Sequence, residues 1–327
     1  MALKKELNIA PCGFLLNRYF MEIITNIDNL SGGPVAATIG SFDGVHTGHA
    51  AMIKELQEAA SLRGLPVMVI TFMYHPRILF GAECEPFLLT TNNEKLAFLE
   101  ELGVERCVLL DFDSSMASMS AERFMKEVLK EKLGVELLAV GYDHRFGCPQ
   151  EGEGVDDYIA YGKNFGIDVF QTSQYIPSGA KVSSSQVRKA LAAGDVEAAA
   201  SLLGRAYSLE GVVAHGAALG RTIGYPTANI ALSDDMKMLP RDGVYEVVVQ
   251  AGGSEYKGVM NIGVKPTLQG VNVRTVEVYI LDFSGDIYDE KISASFVRRL
   301  RDEVPFASVD ALRLQIGVDV ARVKRGI

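Results

Sequence analysis

The chain has 327 residues, 48% of them hydrophobic and 22% charged, and its 32 Lys and Arg against 41 Asp and Glu leave a formal net charge of −9. That is the composition of a globular chain, long enough for two domains that each bury a core. The acidic balance excludes a duplex nucleic-acid or anionic-membrane binder that relies on overall charge, yet leaves room for a local basic site that takes phosphates.

Residues 1–20 place Lys4 and Lys5 before a short apolar patch, but Glu6, Asn17 and Arg18 spoil a secretory reading. They are expected to form an extension without function, and either Met1 or Met21 can be the start. No run reaches the roughly 18 apolar residues of a spanning helix. The longest charge-free stretch, Asn29 to Phe42, is broken by Ser, Gly, Pro and Thr. Cys12, Cys84, Cys107 and Cys148 stand far apart with no C-x-x-C, which excludes a zinc ribbon and favours a reducing cytoplasm.

From Val35, short apolar runs read as buried strands: Val35–Ile39, Val67–Phe72, Arg106–Leu110, Leu137–Val140 and Ile167–Phe170. Amphipathic segments separate them, with helices expected over His49–Arg63, Asn92–Leu102 and Ser120–Leu133, then Ser185–Ala193 and Val196–Leu203. This alternation predicts an α/β domain with a doubly wound parallel sheet and a ligand crevice at the carboxyl ends of its strands. Past Gly204-Arg205 the texture turns β-rich, with runs at Tyr207–Val213, Thr227–Ile230, Gly243–Gln250, Tyr256–Ile262, Thr275–Ile280 and Lys291–Arg298. A small β-barrel is the natural reading. Ser308 caps a last helix whose stripe of Val309, Leu312, Ile316, Val320 and Val323 suits packing across the barrel.

The first candidate site is Gly40-Ser41-Phe42-Asp43-Gly44-Val45-His46-Thr47-Gly48-His49, between the first strand and its helix. Gly40, Gly44 and Gly48 let backbone approach a phosphate, the helix N-terminus supplies unpaired N–H groups, and His46 and His49 can donate to charge building on an attacked α-phosphate. A metal-binding His pair, or a plain turn with exposed histidines, are the alternatives. In Lys181-Val182-Ser183-Ser184-Ser185-Gln186-Val187-Arg188, the serines either bind phosphate or simply cap, and Arg188 offers a fork to a leaving pyrophosphate or lies solvated. Gly141-Tyr142-Asp143-His144-Arg145-Phe146-Gly147 follows a strand where crevice contacts fall, or is a plain turn.

Those segments, with Phe72-Met73-Tyr74-His75-Pro76-Arg77 and in this order, resemble the N-terminal half of bacterial bifunctional riboflavin kinase/FMN adenylyltransferases, the FAD synthetases. The resemblance runs over about 21–203 and implies transfer of AMP from ATP to FMN. It places Gly40, Phe42, Gly44, Gly48, Asp143, Ser184 and Ser185 at the nucleotide and His46, His49 and Arg188 in catalysis. His144 stands where the family usually has Phe, and Ser185 where it has Thr.

His215-Gly216-Ala217-Ala218-Leu219-Gly220-Arg221-Thr222 fails as a P-loop, since the glycine spacing is one residue short and Arg221 replaces the lysine; no G-x-G-x-x-G occurs either. Beyond it, Thr227 and Asn229 point to one strand face with neutral oxygens that suit a Mg²⁺ bridging nucleotide phosphates. Glu277 lies on a strand face opposite Val276, Val278 and Ile280, where a solvated carboxylate is the plain reading.

Pro-Thr-Ala-Asn (226–229), Asn-Ile-Gly-Val-Lys-Pro-Thr (261–267), Glu-Val-Tyr-Ile-Leu-Asp-Phe (277–283) and Arg-Asp-Glu-x-x-Phe (301–306) resemble the riboflavin kinase half of the same family. Over 204–327 this implies that Thr227 and Asn229 hold Mg²⁺ and ATP phosphates, that Glu277 is the general base, that the Gly216–Arg221 loop covers the nucleotide, and that Gly220 and Thr222 contact it. The expectation is a cytoplasmic enzyme that makes FMN from riboflavin and FAD from FMN, with ATP as co-substrate and neither nucleic acid nor membrane as partner. Oligomeric state is not legible. The rivals are a riboflavin kinase with an inactive N-terminal domain, and a flavin- or nucleotide-binding regulator without turnover.

Overall fold

The computed structural model describes residues 21–28, 30, 33–79, 85–142, 146–147, 153–176, 181–216, 219–266 and 272–326. The expected extension 1–20, the loop residues Asp143 to Arg145, Thr267, and Cys12, Cys84 and Cys148 lie outside the described residues.

The first six strands are β1 (Glu22–Ile24), β2 (Val35–Ile39), β3 (Val67–Phe72), β4 (Arg106–Leu110), β5 (Val135–Val140) and β6 (Asp168–Gln171). They form one parallel sheet in the order β1-β4-β3-β2-β5-β6. All five residues of β2 are buried, because helices cover both faces and no polar alternation is needed. The chain winds outward from β2 through β3 and β4, then returns to β5, so the strand order reverses between β2 and β5.

The helices are α1 (Thr47–Ser61), α2 (Pro76–Leu79), α3 (Asn92–Glu101), α4 (Ser114–Ala117), α5 (Ala121–Phe124), α6 (Val155–Phe165), α7 (Ser184–Ala193) and α8 (Val196–Leu203). A full capping box starts α3, with Thr91 and Glu94 each accepting from the other's backbone N–H. The helix expected over Ser120–Leu133 is instead a single α-turn that widens into a π-helix over Met125–Lys132. Its apolar residues still reach the sheet, with Met125, Val128 and Leu129 buried. Neither β1 nor α6 was expected from the sequence.

The remaining strands are β7 (Ser208–Ala214), β8 (Thr227–Leu232), β9 (Gly243–Ala251), β10 (Ser254–Pro266), β11 (Asn272–Ile280) and β12 (Lys291–Arg301), with the short helix α9 (Leu219–Thr222) before β8. They pair antiparallel into a closed barrel, β10-β11-β8-β7-β12-β9, sealed by β9 against β10. The final helix α10 (Val309–Arg325) docks by its C-terminal turns: Val320 and Val323 pack with Val244, Val259 and Leu281, and buried Asp319 receives Arg301 at 2.8 Å. The expected stripe does not bury throughout, since Val309 is 53% exposed.

Sheet and barrel share apolar packing. Leu89 and, from α7 and α8, Val187, Leu191, Val196, Ala199 and Leu203 fall in one core cluster with the barrel interior. Beside it, Lys237 of the β8–β9 loop forms a buried ion pair with Glu94 at 2.6 Å. Leu88 donates to Met236 O and accepts from Met238 N, both at 2.8 Å.

Candidate active sites

The turn leaving β2 is tightly wound. Phe42 and Val45 have φ of 48° and 37°, and Gly44 has 85°. Side chains at the first two positions cost of order 1–3 kcal/mol each in that region. A Cβ on Gly44 would stand 2.9 Å from Leu89 Cδ1, so glycine alone fits there. Arg205 braces the turn from behind, donating to Gly44 O at 2.6 Å and Val45 O at 3.0 Å while lying over the Phe98 ring at 3.5 Å. Burial lowers the Arg205 guanidinium to about 10.

His46 is the N-cap of α1: its Nδ1 accepts from His49 N at 3.2 Å. A nitrogen that accepts carries no proton, so the neutral ring bears its hydrogen on Nε2. Burial above all pushes His46 down to about 4, with Arg205 and Arg188 adding to the effect. The His46 and His49 rings stack at 3.7 Å, and buried Phe42 tilts against His49 at 4.9 Å. Two imidazoles and a helix N-terminus therefore converge at the carboxyl end of β2.

Asp43, 3% exposed, ties this turn to two distant segments. Its Oδ1 accepts from Leu89 N at 2.9 Å and Thr90 N at 3.1 Å, and its Oδ2 accepts from Arg188 Nη2 at 2.5 Å. Ser184 Oγ donates to Asp43 O at 2.8 Å, while Ser185 is exposed on the first turn of α7 and Ser183 caps it. Arg188 also donates through Nε to Phe87 O at 2.9 Å. The guanidinium is thus neither solvated nor waiting open; a largely buried cation needs fixed partners, and it has them.

Beside the turn lies a cavity of about 310 Å³ between the ends of β2 and β3, lined by Ser41 and Asp43, by Phe72 to His75, and by Lys95. Lys95 donates to Phe72 O at 3.1 Å, and burial lowers its ammonium to about 8. Burial also lowers His75.

The second site sits on the outer face of the barrel. In the β8–β11 ladder Asn229 stands opposite Glu277, and Thr227 Oγ1 donates to Glu277 Oε2 at 3.5 Å. Val276, Val278 and Ile280 turn inward to the core, which forces Glu277 outward. Asn261 of β10 flanks Glu277 on the other side and donates to Glu303 Oε1 at 3.1 Å. Gly220 and Thr222 lie on α9, which feeds into Thr227 through a bond from Tyr225 N to Gly220 O of 2.8 Å. Gly216 comes so close that a Cβ would stand 2.1 Å from Asn229 Nδ2.

Two family models match the chain: FAD synthetase over residues 30–186 and riboflavin kinase over residues 203–327. The bifunctional riboflavin kinase/FMN adenylyltransferase of Escherichia coli strain K12 is 41% identical over 306 residues, covering 91% of this chain and 96% of that protein. The chain belongs to this bifunctional family. The Pseudomonas fluorescens member is 40% identical over 93% of this chain and 97% of its own length. A solved structure titled macrolide-efflux protein, from Streptococcus pneumoniae, is 32% identical with a TM-score of 0.84, covering 93% of this chain and 98% of that one. Among the described residues no helix is long and apolar enough to cross a membrane.

The motifs that signal the bifunctional family thus fold into two groups: His46, His49, Ser184 and Arg188 around the β2 turn, and Thr227, Asn229 and Glu277 on the barrel wall. Asp143 lies outside the described residues. Sequence reasoning missed Asp43, Arg205 and Lys95; a lone acidic residue in a glycine turn was the available signal for the first. Thr227, Asn229 and Glu277 present hard oxygens, the donor set Mg²⁺ prefers. Among the described residues no three His, Cys, Asp or Glu side chains form a metal-holding cluster, so an ion there would take its other ligands from phosphates and water.

Proposed function

We propose that the chain phosphorylates riboflavin to FMN and then adenylylates FMN to FAD, with residues 204–327 performing the first step and residues 21–203 the second. The observation that carries this reading is the presence, in one chain of the bifunctional family, of two separate constellations whose chemistry differs as the two reactions require.

Riboflavin offers a neutral primary hydroxyl, so its phosphorylation benefits from a carboxylate. In this reading Glu277 takes the hydroxyl proton as the oxygen bonds to the γ-phosphorus and ADP leaves. Thr227 and Asn229 hold the phosphates and Mg²⁺, and Gly220 and Thr222 cover the nucleotide. Bound Mg²⁺ supplies neutralisation of phosphate charge.

FMN brings a phosphate already ionised at neutral pH, so no strong base is needed. Its oxygen bonds to the α-phosphorus of ATP and pyrophosphate leaves. The preset Nε2–H of His46, with His49 and the N–H groups at the start of α1, stabilises the charge on the α-phosphate. Arg188 supplies positive field while holding Asp43, and Ser185 lies open to phosphate oxygens. The nucleotide belongs at the β2–β5 switch point, which leaves the cavity between β2 and β3 to the flavin.

The partners are small molecules, riboflavin, FMN and ATP, and the compartment is the cytoplasm. Incubating the protein with riboflavin, ATP and Mg²⁺ and separating flavins by chromatography tests the whole reading: FMN then FAD is expected. FMN without FAD would mean an inactive first half, and flavin binding without ATP consumption would mean a regulator.

A further inference from the structure

We infer that the barrel supplies one wall of the adenylyl-transfer pocket, with Met236 of the β8–β9 loop lying against the flavin ring of FMN. This rests on the assignment of the β2–β3 cavity to the flavin.

Most of that cavity is built by residues between Ser41 and Lys95, but Asp234 and Met236 line it as well. These two residues belong to the chain between two barrel strands, whose own reaction is placed on a different wall.

Their position is held from three directions. Within the loop, Asp234 Oδ1 accepts from Met236 N at 2.8 Å and Asp234 O accepts from Lys237 N at 3.1 Å, a turn that fixes the backbone at Met236. Towards the sheet, Met236 O accepts from Leu88 N at 2.8 Å. Next to it, Lys237, 3% exposed, donates to Leu89 O at 2.8 Å and to Glu94 at 2.6 Å. Removing either partner of such a pair leaves a buried charge uncompensated, so the loop does not drift freely from the sheet.

The strip that receives the loop also receives the phosphate turn. Leu89 N and Thr90 N donate to Asp43, and Phe87 O accepts from Arg188. Three successive residues, Leu88 to Thr90, therefore set the distance between Met236 and the turn that carries His46.

The chemistry suits a flat heteroaromatic ring. Phe72 and Met73 face the same cavity as Met236, and a polarizable, unbranched thioether makes favourable contacts with ring edges and faces. Asp234 spends its carboxylate on the turn and so acts as a positioning residue for Met236.

The test is steady-state adenylyl transfer by the full-length protein, with FMN varied at saturating ATP and Mg²⁺. Met236→Ala is expected to raise KM for FMN about 3- to 10-fold, the size of a lost sulfur–aromatic contact, and to leave kcat within about twofold. KM for ATP and phosphorylation of riboflavin should stay at wild-type values, a pattern that general loosening would not produce. Met236→Leu should restore most of the FMN affinity. If the alanine variant fails to fold, Met236→Gln carries the same expectation, since it keeps chain length and replaces the thioether with an amide. An unchanged KM for FMN in a folded variant overturns the inference alone. A wild-type protein that makes no FAD from FMN overturns the proposed function, and the inference with it.

Discussion

The carboxylate of Asp43 and the guanidinium of Arg188, 145 residues apart in the chain, meet at 2.5 Å beneath the turn that carries His46 and His49. The pair joins the carboxyl end of β2 to the start of α7, and through Leu89, Thr90 and Phe87 it reaches the segment before α3.

Asp43→Ala would leave the Arg188 Nη2 and two backbone N–H groups without their acceptor, and the buried guanidinium without its counter-charge. A loss of about 3–5 kcal/mol is expected, with adenylyl transfer abolished, because the turn loses its anchor. Thermal denaturation and FMN-to-FAD conversion measure both. A variant that melts like the wild type would show that the pair is dispensable.

In the proposed adenylyl transfer His46 and His49 donate to the α-phosphate, so replacing either by Ala tests that role. FAD formation from FMN should fall about 10²- to 10³-fold, with riboflavin phosphorylation unaffected. Retained FAD synthesis would exclude the α-phosphate role.

Glu277→Gln keeps the shape of the barrel wall and removes the carboxylate proposed to accept the riboflavin hydroxyl proton. FMN formation should drop by about 10²- to 10⁴-fold, with FMN-to-FAD conversion near normal. Equal loss of both reactions in the purified variant would merge the two sites into one.

Gly216→Ala forces a methyl group into the space of the Asn229 amide, 2.1 Å away. The amide must swing aside, so the KM for ATP in the kinase reaction should rise while Tm barely moves. An unaltered KM would place Asn229 away from the nucleotide.

His46 also couples folding to pH. Between about pH 6.5 and 4 the unfolded chain takes up a proton at this ring that the folded chain refuses, so stability falls as pH falls through that window. The contribution is up to about 3 kcal/mol. His46→Asn keeps an N-cap acceptor and cannot titrate, so denaturant unfolding at pH 7 and pH 5 should show the wild type losing more stability than the variant. Parallel losses would contradict a neutral, buried ring.

Much of this was legible in the sequence where the signal is local. The apolar runs Val35–Ile39, Val67–Phe72 and Arg106–Leu110 are strands as expected, because buried parallel strands need continuous apolar residues. The glycine turn before α1 stood out because strand, glycines, histidines and helix follow one another directly. Glu22–Ile24 did not, since three residues at a sheet edge carry no periodicity. The π-helical shift after Phe124 changes hydrogen bonding without changing the apolar pattern. Asp43 and Arg188, like Glu94 and Lys237, were illegible as pairs, because nothing in a linear pattern says which distant charges will share a buried space.

The shared packing of Leu89, α7 and α8 with the barrel interior has a practical meaning for anyone dividing the protein near Gly204. Such a cut runs through a common apolar seam and not through a solvated hinge. The amino-terminal piece would come away with leucines and valines stripped of their cover, prone to self-association, and without the loop that carries Met236, so poor behaviour of that fragment in isolation would not count against the groups around the β2 turn.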